Sequence, residues 1–93
     1  MAITVALPSA LQPYAGGSTE VTLPDRCGTV GDALGALAGR HAGVMDRVMD
    51  ERGVLRQHVN VFVDGENIRF LEGLGTAVGE TSTIVIVPAV SGG

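Results

Sequence analysis

The sequence predicts an α+β domain in which a mixed sheet of four to five strands packs on one main helix. Three observations predict it. Short runs that alternate apolar with small or polar residues stand at 3–7 and 20–23, and mainly apolar runs of strand length stand at 59–63 and 83–87. Val30, Ala33, Leu34, Leu37 and Ala38 fall at i, i+3, i+4, i+7 and i+8, one stripe of a helix. Proline and glycine punctuate the chain between these segments.

The elements follow in order. Ile3-Thr4-Val5-Ala6-Leu7 reads as a half-buried strand that Pro8 ends, and 11–17, with Pro13 and Gly16-Gly17, reads as a loop. Glu20-Val21-Thr22-Leu23 resumes the alternation up to Pro24, so the two strands make an opening hairpin with a long connection. Thr29, three residues before Asp32, is a capping-box pattern with Asp in place of the preferred Glu, and it sets the main helix over about residues 30–40. Val44, Met45, Val48 and Met49 give a short second helix one apolar side, with Gly53 expected to close it. Val59-Asn60-Val61-Phe62-Val63, then Asp64-Gly65, then Ile68-Arg69-Phe70 predicts a hairpin with a type I′ turn. Residues 71–82, rich in Gly and Thr, connect to a last strand, Thr83-Ile84-Val85-Ile86-Val87, which Pro88 terminates because it has no N–H for a sheet ladder.

Composition narrows the functional classes. Ninety-three residues with 45% hydrophobic content suit one domain, residues 1–93, with its own core. The net charge is −4, lysine is absent and the six arginines (Arg26, Arg40, Arg47, Arg52, Arg56, Arg69) are scattered, so a nucleic-acid partner is not expected. No apolar run approaches the roughly 20 residues of a membrane span and no signal-like segment follows Met1, which points to a cytoplasmic protein without a membrane partner. Cys27 is the single cysteine, so there is neither an internal disulfide nor a cysteine cluster for zinc.

The order strand, strand, helix, strand, short strand, strand is that of the β-grasp, or ubiquitin-like, fold. One helix crosses one sheet face, the other face is open, and the first and last strands lie parallel and adjacent at the centre. The last strand then delivers Ala89-Val90-Ser91-Gly92-Gly93 as a flexible tail over 89–93. Glycine has no Cβ, so Gly92 and Gly93 can thread a channel too narrow for side chains. Extended, the tail spans roughly 17 Å, at about 3.4 Å per residue. The alternative is a frayed terminus without a role.

Period-two alternation also assigns the open face. With Val59, Val61 and Val63 turned to the helix, Phe62 turns away, and in the last strand Ile84 and Ile86 face inward while Val85 and Val87 face outward. Phe62, Val85 and Val87 are therefore candidate partner-binding residues, unless the strands are simply apolar on both sides.

From 1 to 93 the chain resembles the ThiS/MoaD group of sulfur-carrier proteins. The resemblance rests on the opening strands, the helix beginning near Thr29, the hairpin over 59–70 and above all Ile84-Val85-Ile86-Val87-Pro88-Ala89-Val90-Ser91-Gly92-Gly93. Within the group it is most similar to the branch used in actinobacterial cysteine biosynthesis, through Val59-Asn60-Val61-Phe62-Val63, Arg69-Phe70 and Pro88-Ala89-Val90. The resemblance implies that Gly93, preceded by Gly92, is the reactive end, and that Pro88, Val90 and Ser91 join Phe62, Val85 and Val87 in contacting partners. It implies an adenylating enzyme of the ubiquitin-activating type that uses ATP and Mg²⁺, while the carrier itself binds no cofactor and no metal and is not an enzyme. Sulfide or a persulfide then yields a Gly93 thiocarboxylate, which a sulfur-accepting synthase consumes; a protease that processes the tail is a further implied partner. The destination is cysteine or a thiolated metabolite. The alternatives are a ubiquitin-like modifier or binding domain, or the small subunit of molybdopterin synthase.

Competing motifs fall short. Gly73-Leu74-Gly75-Thr76-Ala77-Val78-Gly79 spaces its third glycine one place too late for a dinucleotide loop, and a Walker-type loop needs a lysine. His41 and His58 stand in no metal-ligand pattern and read as surface or capping residues.

Overall fold

The structure, a computed structural model, describes residues 2–23 and 27–88. Strands β1 (Ile3–Ala6) and β2 (Glu20–Leu23) form an antiparallel hairpin, helices α1 (Val30–Arg40) and α2 (Ala42–Val48) follow, and β3 (Val59–Val63), β4 (Glu66–Asn67) and β5 (Thr83–Pro88) complete the sheet. The spatial order is β2-β1-β5-β3-β4, with β1 and β5 parallel neighbours and the other pairings antiparallel. This is the β-grasp arrangement that the element order predicts.

Alternation along each strand builds the core. Ile3, Val5, Val21, Leu23, Val59, Val61, Val63, Ile84 and Ile86 are all buried in one cluster with Val30, Ala33, Leu34 and Leu37 of α1. Burying each of the larger side chains stabilises the fold by about 1.5–3 kcal/mol. Helix α1 starts where Thr29 Oγ1 accepts the N–H of Asp32 at 3.1 Å, and the Asp32 carboxylate accepts the N–H of Gly28 at 3.2 Å. The reciprocal bond of the capping pattern thus lands one residue upstream of Thr29. His41 separates α1 from α2, its own N–H closing α1 on the Leu37 carbonyl.

Three local expectations are corrected. Helix α2 ends at Val48, well before Gly53, because Asp50 makes a competing turn: its Oδ1 accepts the N–H groups of Arg52 at 2.8 Å and Val54 at 3.1 Å. Gly53 takes φ 77° inside that turn and does not cap the helix. In the loop over 11–17, Gln12–Ala15 forms a 3-10 turn held by buried Leu11 and Ala15.

The third correction bears on the site. Asp64 (φ 50°) and Gly65 (φ 91°) adopt the two positive φ values of a type I′ turn, yet the returning strand stops at Asn67. Ile68–Phe70 is a 3-10 turn and not a strand, since Asn67 Oδ1 accepts the Arg69 N–H at 2.9 Å and Ile68 is drawn wholly into the core.

Candidate functional site: the outer sheet face and the root of the tail

Strand β5 is the central strand of the sheet, and its outward residues lie at the middle of the candidate face. Val85 lies opposite Phe62 on β3 and opposite Ala6 on β1, while Phe62 lies opposite Asn67 on β4. One row of outward side chains thus crosses four strands. Val87 is next along β5, opposite Asn60. Phe62 and Val85 are half-buried by their neighbours on this face, and Val87 is 40% exposed. The structure therefore brings Phe62, Val85 and Val87 together on the face turned away from the helices. Pro88 is the last residue of β5, opposite Val59. Val90, Ser91, Gly92, Gly93 and the tail over 89–93 as a unit lie outside the described residues.

The pairing of β5 changes along its length. At Ile84 and Val85 it is flanked by both β1 and β3, but Ile86, Val87 and Pro88 pair only with Val61, Asn60 and Val59. On the far side of β3, β4 reaches only Phe62 and Val63. The end of the sheet at Pro88 is consequently a two-stranded ribbon.

Sequence reasoning missed Phe70. It is 86% exposed, and Leu71 after it is 43% exposed. A strand over 68–70 would have put Phe70 on the same inward side as Ile68, whereas the 3-10 turn keeps Ile68 inside and turns Phe70 out. The available signal was Asn67, a residue that competes for backbone N–H groups and favours turns. The amide of Asn67 also donates to Asn60 Oδ1 at 3.2 Å, which ties this turn to the residue beside Val87.

Elsewhere the polar groups serve the fold. The Asp50 carboxyl is held below its ordinary value chiefly by the hydrogen bond from the Arg52 side chain, then by the Val54 N–H, on the turn after α2. Asp64 accepts from Ser82 Oγ at 2.9 Å and from the Thr83 N–H at 3.0 Å, fastening the hairpin turn to the start of β5. Cys27 is half-buried at the entrance to α1, and among the described residues no group of His, Cys, Asp and Glu is placed to hold a metal ion. No helix among them is long and apolar enough to cross a membrane.

Comparison with known proteins decides the family. The model of the ThiS family matches residues 5–93, and so runs through the last residue. The chain belongs to the ThiS family. It is 37% identical to the sulfur carrier protein CysO of Mycobacterium tuberculosis across the whole of both chains. It superposes with a TM-score of 0.87 and 35% identity on a chain of the Amycolatopsis orientalis BexX/CysO complex, covering 98% of this chain and 99% of that one. It is also 39% identical to small archaeal modifier protein 1 of Haloferax volcanii, over 89% of this chain and 91% of the relative. As a ThiS-family member the chain is thus a homologue of sulfur carriers, proteins named for what they carry and not for a reaction they catalyse.

Proposed function

We propose that this ThiS-family chain carries sulfur as a thiocarboxylate on Gly93. The observation that carries the proposal is the family match through Gly93 on a fold whose central strand ends five residues before it. A terminal carboxylate has an ordinary pKa near ~3.5, so it is ionised at neutral pH and resists nucleophiles. A partner enzyme of the ubiquitin-activating type removes that resistance: a carboxylate oxygen attacks the α-phosphorus of ATP and expels pyrophosphate, leaving an acyl-adenylate. Sulfide then adds to the acyl carbon and AMP departs. ATP and Mg²⁺ belong to the partner, which supplies the catalytic groups, and the carrier supplies presentation and recognition. A synthase that makes cysteine or a thiolated metabolite is the acceptor, and the compartment is the cytoplasm. The occurrence of a CysO chain in complex with BexX supports docking of a partner protein on this fold.

Intact mass after incubation with the adenylating enzyme, ATP and sulfide tests this reading. A gain of about 16 Da, the exchange of oxygen for sulfur at an activated carboxyl, is expected. An unchanged mass would remove the carrier reading. Conjugates to amines of other proteins in place of the gain would favour the modifier reading, which the likeness to small archaeal modifier protein 1 supports.

The docking face is tested separately. Phe62→Ser is expected to change stability by less than about 1 kcal/mol, since Phe62 faces away from the core cluster. Its complex with the adenylating enzyme should weaken by about 1 kcal/mol or more, because aromatic anchors commonly dominate interfaces. Thiocarboxylate then forms slowly at low enzyme concentration and is partly rescued by excess. Unfolding of the variant would put Phe62 in the core, and normal binding would move the docking surface elsewhere.

A further inference from the structure

The ribbon at the root of the tail is seated on the core through Val59, Val61 and Ile86, but its two edges lack a neighbouring strand. Here Ile86–Pro88 have lost β1 on one side, and Val59–Val61 have lost β4 on the other. A third strand over 68–70 would have covered that open edge of β3. Its place is taken by one side chain. Arg69 Nη2 lies 2.8 Å from the carbonyl oxygen of Val59, 3.0 Å from that of Arg56 and 3.1 Å from that of Gln57. The two N–H groups of Nη2 are shared among these three acceptors, the part-buried Val59 carbonyl being the nearest, and a charged donor strengthens each bond, so the contact ties residue 69 to the segment over 56–59. The turn that carries Arg69 is itself fixed, by buried Ile68 and by the Asn67 cap.

From this we infer that Arg69 is a positioning residue for activation: by bracing Val59 and the turn before it, Arg69 holds the strand against which Pro88, the last described residue, is aligned. The inference rests on the carrier reading and adds to it a residue on the edge of β3, outside the row of outward side chains on β5 and β3. Loss of the brace frees the β3 edge of the ribbon and the segment over 56–59, while the inner face stays packed on the core. The end of β5 at Pro88 then loses its fixed direction, and a small misplacement of a reacting group costs rate more than affinity.

The test compares Arg69→Met with Asp64→Ala, which loosens the opposite end of β5 through Ser82 and Thr83. In the free protein, amide hydrogen exchange at Asn60 and Val87 should quicken by about tenfold or more in Arg69→Met, with Val5 and Ile84 unchanged. With the adenylating enzyme, kcat for adenylation should fall by about tenfold while KM for the carrier stays within about twofold. Asp64→Ala should lower the melting temperature without that fall in kcat. Unaltered exchange at Asn60 and Val87 would overturn the brace, and faster exchange with unaltered kcat, or an equal fall in Asp64→Ala, would overturn its role in positioning. A wild-type chain that the enzyme never adenylates would strike down the carrier reading itself, and the exchange comparison would still decide the brace. If Arg69→Met does not fold, Arg69→Lys, which keeps the charge but has one nitrogen in place of the fork, is read in the same way.

Discussion

Removing Gly93, or replacing it with a bulky residue, abolishes adenylation while leaving the melting curve almost unchanged. The two halves of this expectation have separate causes. The buried cluster among the described residues ends at Ile86, so the folding energy resides upstream of the tail. Shortening the chain by one residue withdraws the carboxylate from the activating enzyme's nucleotide site by roughly 3.5 Å, the length of one extended residue. That is far beyond the sub-ångström tolerance of an attacking group. A side chain at 93 keeps the length but widens a terminus that must enter a narrow channel. Circular dichroism melting and an ATP–pyrophosphate exchange assay together measure both halves. Unimpaired activation of the truncated chain would refute the proposed carrier chemistry.

The largest loss of stability is expected from the helix and sheet contact. Leu34 and Leu37 are fully buried on α1, inside the same cluster as Val5, Val61, Ile84 and Ile86. Leu34→Ala and Leu37→Ala each delete buried methyl groups and leave a cavity that a well-packed sheet cannot close, at a cost of about 2–5 kcal/mol apiece. Adjacent along one helical face, the two sites share neighbours, so the double variant should depart from the sum of the singles. Urea unfolding monitored by far-ultraviolet dichroism gives the values. Losses under about half a kilocalorie would mean that the contact is looser than its burial indicates.

The fold was legible wherever burial and periodicity agree. Val59, Val61 and Val63 alternate with Asn60 and Phe62 and lie on opposite faces as period two requires, and the stripe from Val30 to Leu37 is the inner face of α1. It was misread where a side chain outcompetes the ladder for backbone groups. Asp50 ends α2 early and Asn67 ends β4 early, each by accepting N–H groups two or four residues ahead. For that reason Phe70 was placed on a strand. Of the candidate site, Phe62, Val85 and Val87 could be placed on one face from alternation alone, but their register could not, because the pairing of Phe62 with Val85 depends on turns distant in sequence. Arg69 was invisible as a brace: nothing in an isolated arginine foretells three carbonyl acceptors 10 to 13 residues upstream.

The central place of β5 also bears on how the protein is made. β1 and β3 never pair with one another; both join the sheet through the strand that comes last in the chain, so Thr4 must wait for Thr83. Contacts of such long sequence separation form late and slowly. Without residues 83–88 the chain has a hairpin, two helices and a second hairpin, but no strand that joins them into one sheet. A chain broken off before residue 83 is left with exposed apolar faces and unpaired strand edges, a substrate for proteases. Assembly of the single sheet thus depends on residues 83–88, which join its two halves.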